Sequence, residues 1–99
     1  MTAKLDPIPP GEILLEEFLL PLGISQNELA RRMEVPVSRI AAIIKGERAI
    51  TADTALRLGR YLNTSPEMWL NLQAAYDLRR LRAGDWAETE KRIIPIAAE

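Results

Sequence analysis

At 99 residues the chain has room for one domain, and a hydrophobic content of 47% is enough for a core. The absence of cysteine and histidine excludes a disulfide framework and a zinc site, and points to a cytosolic all-helical bundle or an oligomer. A formal charge of −1 excludes a generally basic surface, so any nucleic-acid contact must come from local clustering.

Charge is in fact segregated. Asp6, Glu12, Glu16 and Glu17 crowd the start, while Arg31, Arg32, Arg39, Lys45, Arg48, Arg57 and Arg60 lie in the middle. The longest apolar stretch, Ile13 to Ile24, is interrupted by Glu16, Glu17 and Pro21, so neither a membrane span nor a signal-peptide core is expected. Residues 1–9 read as an extended arm, because Asp6, Ile8 and Pro9 each precede a proline.

The first helix is expected over about residues 10–20, opened by Pro10 and ended by Pro21 and Gly23. Ile13, Leu14, Leu15, Phe18 and Leu19 cover much of its circumference, which predicts burial on more than one side. The second, over 25–33, starts at a capping box, Ser25-x-x-Glu28, with Ile24 and Leu29 placed as a hydrophobic staple. Met33-Glu34-Val35-Pro36 breaks the chain. A third helix over 37–45 then turns Ile40, Ile43 and Ile44 inward and stops at Gly46.

Thr51 caps a fourth helix, 51–62, whose packing face carries Ala55, Leu58, Gly59 and Leu62 and whose end falls at Asn63. Ser65-Pro66-Glu67 starts a fifth, 65–83, with two apolar faces. Met68, Trp69, Leu72, Ala75 and Tyr76 fall on one side, and Leu70, Ala74, Leu78 and Leu81 nearly opposite. One face closes the bundle. The other needs a second surface, either residues 84–99 or another copy of the chain. That tail reads as short and extended through Ile93, Ile94, Pro95 and Ile96, with Trp86 beneath it.

Helix, turn, helix and glycine over Ile24 to Thr51 form the pattern of a DNA-reading module. Its second helix shows Val37, Ser38, Arg39, Ala41, Ala42 and Lys45 outward. Arg39 is the long donor near its start, able to meet guanine bidentately or to clamp a phosphate. Gln26, Lys45 and Arg48 are placed for phosphates. Arg31, Arg32, Arg57 and Arg60 read more simply as solvated helix faces, and Trp69 and Tyr76 as core. Catalysis has little to work with, since the adjacent Glu16 and Glu17 point about 100° apart on a helix.

The segment from Gly23 to about Tyr76 resembles the Xre/Cro-type helix-turn-helix, and more closely the HigA/VapI-type antitoxins. The carriers are PGEIL at Pro10 to Leu14, LGISQNELARRMEVP at Leu22 to Pro36 and GERAITADTALRLGRYLNTSPEMWLNLQAAYDL at Gly46 to Leu78. The resemblance implies an all-α, five-helix, lambda-repressor-like bundle and a homodimer. It also implies repression from an inverted-repeat operator in double-stranded DNA and neutralisation of a RelE-like ribonuclease toxin. No cofactor, metal, small-molecule ligand or membrane is implied.

The family's DNA-facing positions fall on Gln26, Val37, Ser38, Arg39, Ala41, Ala42 and Lys45. Two departures stand out: Glu34 occupies a turn position usually held by glycine, and Val37, Ala41 and Ala42 are smaller than the usual readers. Leu70, Ala74, Leu78, Leu81, Ile93, Ile94 and Ile96 form the expected dimer surface, which would set two reading helices about 34 to 36 Å apart. A stand-alone regulator without a toxin is the nearest alternative. A protein-interaction module that has lost DNA binding is the other.

Overall fold

The computed structural model describes residues 7–97, and every regular element among them is helical. Helix α1, residues 10–22, is one continuous rod: an α-helical turn Pro10–Ile13, a π-helical stretch Leu14–Leu19 and a last turn Leu20–Leu22. It is followed by α2 (Gln26–Met33), α3 (Val37–Ile44), α4 (Ala52–Leu62), α5 (Pro66–Ala83) and α6 (Trp86–Arg92). The first five stand where the sequence places them, to within two residues. Among the described residues the bundle therefore has six helices, not five.

Local chemistry explains the starts. Ser25 accepts from the Glu28 N–H at 3.0 Å, Thr51 from Thr54 at 3.4 Å and Ser65 from Met68 at 2.9 Å. Each such cap contributes about 1 kcal/mol. Only the serine half of the expected capping box is formed, because the Glu28 carboxylate turns toward Arg32 at 3.9 Å.

The ends are left-handed residues: Gly23 at φ 68°, Glu34 at 59° and Asn63 at 60°. For Glu34 the conformation costs roughly 1–2 kcal/mol. It is held by the Val35 N–H donating to the Ala30 carbonyl at 3.0 Å, with Val35 packed against the core.

Helix α1 runs through Pro21, where the sequence predicts a stop. Proline lacks an N–H and its ring meets the carbonyl four residues back. The widened π turn, in which the Leu20 N–H reaches the Leu15 carbonyl, makes room before it.

The core is drawn from every helix up to α5: Leu14 and Leu19, Leu29 and Met33, Ile40 and Ile43, Leu58, and Trp69. Trp69 is fully buried, with its Nε1 donating to Thr64 Oγ1 at 2.8 Å and its ring 5.2 Å from that of Phe18. The inward face of α5 also carries Gln73, which a reading of apolar periodicity passes over. Its Oε1 accepts from the Ile50 N–H at 2.8 Å and its Nε2 donates to Asp77 at 3.1 Å, so a buried amide anchors the loop between α3 and α4. Ala75, expected inward, is exposed.

Two glycines mark close approaches. At Gly59 an added Cβ would lie 2.7 Å from the Thr64 carbonyl oxygen and 3.1 Å from Pro66 Cδ, so the glycine makes room for the loop that leads into α5. At Gly11 it would run into the Ile43 carbonyl, where the start of α1 crosses the end of α3.

The tail differs from expectation. Trp86–Arg92 is helical, held by local pairs such as Lys91 with Glu88 at 3.7 Å, and acidic and basic residues fall at the ends that the helix dipole favours. Trp86 does not lie beneath the tail; it lines a shallow groove with Leu78, Leu81 and Arg82. Ile93, Ile94 and Ile96 are exposed and in no strand. Residues 1–6 of the expected arm and 98–99 of the tail lie outside the described residues.

Candidate nucleic-acid interface

The candidate reading surface is built on α2 and α3, crossed over a shared core. Leu29, Ala30 and Met33 from α2 and Ile40 and Ile43 from α3 are buried, so the two helices have one fixed relation and opposite faces left over. On α3 that leftover face carries Ser38 and Lys45, exposed, with Ala41 and Ala42 half-buried between them. Val37 opens the helix at 44% exposure. Gln26, half-buried, opens α2.

Val37, Ser38, Ala41 and Ala42 are small side chains. They let a backbone approach closely and offer few directional hydrogen bonds of their own.

Two of the predicted residues stand apart. Arg48 lies in the loop beyond the far end of α3. It lines a cleft with Pro9, Tyr76, Asp77 and Arg80, on the side of the loop that faces α5. Arg39 turns sideways to α4. Its Nη1 donates to Asp53 Oδ2 at 3.2 Å, and its side chain is only 25% exposed.

The same carboxylate oxygen accepts from Arg57 Nε at 3.0 Å, and Arg57 Nη1 donates to the Met33 carbonyl at 2.7 Å. That carbonyl ends α2 and has no helical partner of its own. Arg57 is therefore a cap on another helix, not the solvated cation that its sequence position suggests. The spacing of Asp53 and Arg57 marks a helical pair. Nothing in the sequence marks the pairing of Arg39 with Asp53, fourteen residues away.

The Asp53 carboxyl is held below its ordinary value, first by the hydrogen bond from Arg57, then by the charge of Arg57 and the bond and charge of Arg39. Desolvation, second in size only to the Arg57 hydrogen bond, pulls the other way without reversing the shift. The stability this lowering brings is fully present above the unfolded carboxylate value and is lost as pH falls through the lower folded one. The network is thus intact at neutral pH.

Among the described residues no three Asp, Glu, His or Cys side chains are grouped to hold a metal ion, and no helix is long and apolar enough to cross a membrane.

Comparison with known proteins agrees with this architecture. The family model described as helix-turn-helix matches residues 15–69. Virulence-associated protein I of Dichelobacter nodosus is 47% identical over 96 residues, covering 93% of this chain and 83% of that one. A solved addiction-module antidote protein of the HigA family from Coxiella burnetii is 46% identical, with a TM-score of 0.84 over 92% of this chain and 99% of its own. The Pseudomonas aeruginosa antitoxin HigA, solved with the higBA promoter, is 43% identical, with a TM-score of 0.85 over 91% of this chain and 98% of its own. The chain belongs to the Xre-type helix-turn-helix family and, within it, to the HigA-type antitoxins, which are DNA-binding transcription regulators and not enzymes.

Proposed function

We propose that this chain is the antitoxin of a type II toxin–antitoxin module in the cytoplasm. It binds an inverted-repeat operator at its own promoter as a homodimer, and it neutralises a RelE-like ribonuclease toxin. The observation that carries the DNA half is the exposed, small-residue face of α3, set between Gln26 and Lys45, on a fold shared with an antitoxin solved on promoter DNA. In this reading Val37, Ser38, Arg39, Ala41 and Ala42 approach base edges while Gln26 and Lys45 meet phosphates. A mobility shift on the DNA upstream of the gene is expected, and Arg39→Ala is expected to weaken it about tenfold or more with the circular dichroism spectrum unchanged. No shift even at low salt would sink the operator claim.

The dimer half is supported by the second face of α5. Leu78 and Leu81 are 49% and 63% exposed and share a groove with Trp86, while Leu70 and Ala74 continue the stripe. Ile93, Ile94 and Ile96 add further uncovered apolar surface in the tail, and exposed apolar area of this kind calls for a partner. Leu78→Glu, or truncation after Ala83, is expected to convert the dimer mass to a monomer mass in light scattering. Operator affinity should fall at least tenfold with little change in the melting of the monomer. An unchanged mass and affinity in both variants would refute this interface. Toxin neutralisation is tested by co-expression with a short basic reading frame beside the gene, expecting a stable complex and restored growth; a solitary gene leaves a stand-alone regulator.

A further inference from the structure

We propose that Asp53 is a positioning residue that fixes the Arg39 guanidinium so that its free edge reads a guanine in the operator. This rests on the DNA-binding reading above and adds to it the residue that orients the reader. Asp53 stands in the first turn of α4, behind the Thr51 cap, and its Oδ2 takes one N–H from Arg39 and one from Arg57. Arg57 in turn is tied to the Met33 carbonyl. The carboxylate that holds Arg39 is thereby connected to the last turn of α2 as well as to α3, so all three helices set its position.

Arg39 is tied to Asp53 and is more covered than a solvated arginine. Its side chain is 25% exposed, against 53% for Arg32 in the ordinary helical pair with Glu28. A guanidinium presents its donors in one rigid plane. With Nη1 engaged by Asp53, the edge formed by Nε and Nη2 remains free, and that edge matches the O6 and N7 acceptors of guanine.

Two further points favour a base over a phosphate. Arg39 lies in the first turn of α3, the part of a reading helix that reaches base edges. A phosphate contact depends on charge, which a carboxylate 3.2 Å away offsets, and that carboxylate itself repels the phosphate. A base contact depends on direction, which the carboxylate supplies.

The test uses the full chain. The wild-type protein first selects a duplex from a randomised library. Affinities for that duplex and for a scrambled one are then measured between about 50 and 200 mM salt. Asp53→Asn is expected to reduce the ratio of selected to scrambled affinity about tenfold, while binding to the scrambled duplex tightens because a negative charge has left the surface. In an Arg39→Ala background the same substitution changes the ratio no further. Arg39→Lys, which keeps the charge and loses the fork, should lose the ratio and keep the salt slope.

Guanines replaced one at a time by an analogue lacking N7 should reveal one position that matters to the wild type and not to Asp53→Asn. Tighter binding of Asp53→Asn to both duplexes with the ratio intact overturns the proposal and leaves Asp53 as a tie within the fold. Wild-type discrimination in Arg39→Lys overturns it equally, since a phosphate contact survives that change. If Asp53→Asn fails to fold, Asp53→Glu, which keeps the charge but displaces the carboxylate, replaces it in the same measurements, and an intact ratio there overturns the proposal. A wild type that selects no sequence refutes DNA binding itself, an outcome separate from a preference that ignores Asp53.

Discussion

Trp69→Ala is expected to lower the unfolding free energy by about 4 kcal/mol, a large part of the total of roughly 5–15 kcal/mol available to a domain of this size. The side chain is fully buried, so its whole apolar surface returns to water on unfolding, and the cavity left in the native state cannot close. The walls of that cavity are drawn from distant parts of the chain, including Phe18 in α1 and Thr64 before α5. Relaxation at one wall opens a gap at another. Trp69→Phe separates the contributions: it keeps an aromatic ring for Phe18 and removes the donor to Thr64, and it should cost about 1–2 kcal/mol more than its area loss alone. Denaturant unfolding followed by far-UV circular dichroism gives both values, with Trp86 still present as a second probe. A loss below about 2 kcal/mol for the alanine variant would mean that the site collapses and that α5 is not rigidly docked.

Gly11→Ala is expected to cost about 3 kcal/mol through one added methyl group. The new Cβ would strike the Ile43 carbonyl and lie 2.7 Å from the Ile44 Cα, both backbone atoms at the end of α3. A side chain can rotate away; backbone in a helix cannot, so α1 and α3 must part. Because α3 is the reading helix, stability and DNA affinity should fall together in this variant. Gly23→Ala is the control. It also replaces a glycine that ends α1, but open space surrounds the position, and only the left-handed conformation is at stake, about 1 kcal/mol. Equal effects of the two substitutions in thermal melts would show that backbone conformation, and not the helix crossing, governs Gly11.

What could be read from the chain alone were the features set by neighbours within one helical turn. The hydroxyls of Ser25, Thr51 and Ser65 announce helix starts, and the helices begin there. The inward isoleucines of α3 and the two faces of α5 follow from the 3.6-residue period, and Ile40, Ile43 and Trp69 are buried accordingly. Even the left-handed Asn63 was legible, since asparagine tolerates that conformation at a helix end. Pro21 and α6 were not. A proline usually ends a helix, and only the π turn ahead of it shows why this one does not. Helix α6 has no apolar stripe, and local charge pairs hold it.

The sequence by itself thus determined the first five helices and the turn between α2 and α3, because short-range capping and periodicity decide those. Tertiary structure decided which polar residues act together. Gln73 meets the Ile50 N–H across 23 positions, and Arg39 meets Asp53 across 14. Such pairs depend on how helices are set against one another. That setting comes from close approaches such as Gly11 on Ile43 and from the fit around Trp69. A donor like Arg39 reads in sequence as free; only the packed bundle shows it held by Asp53.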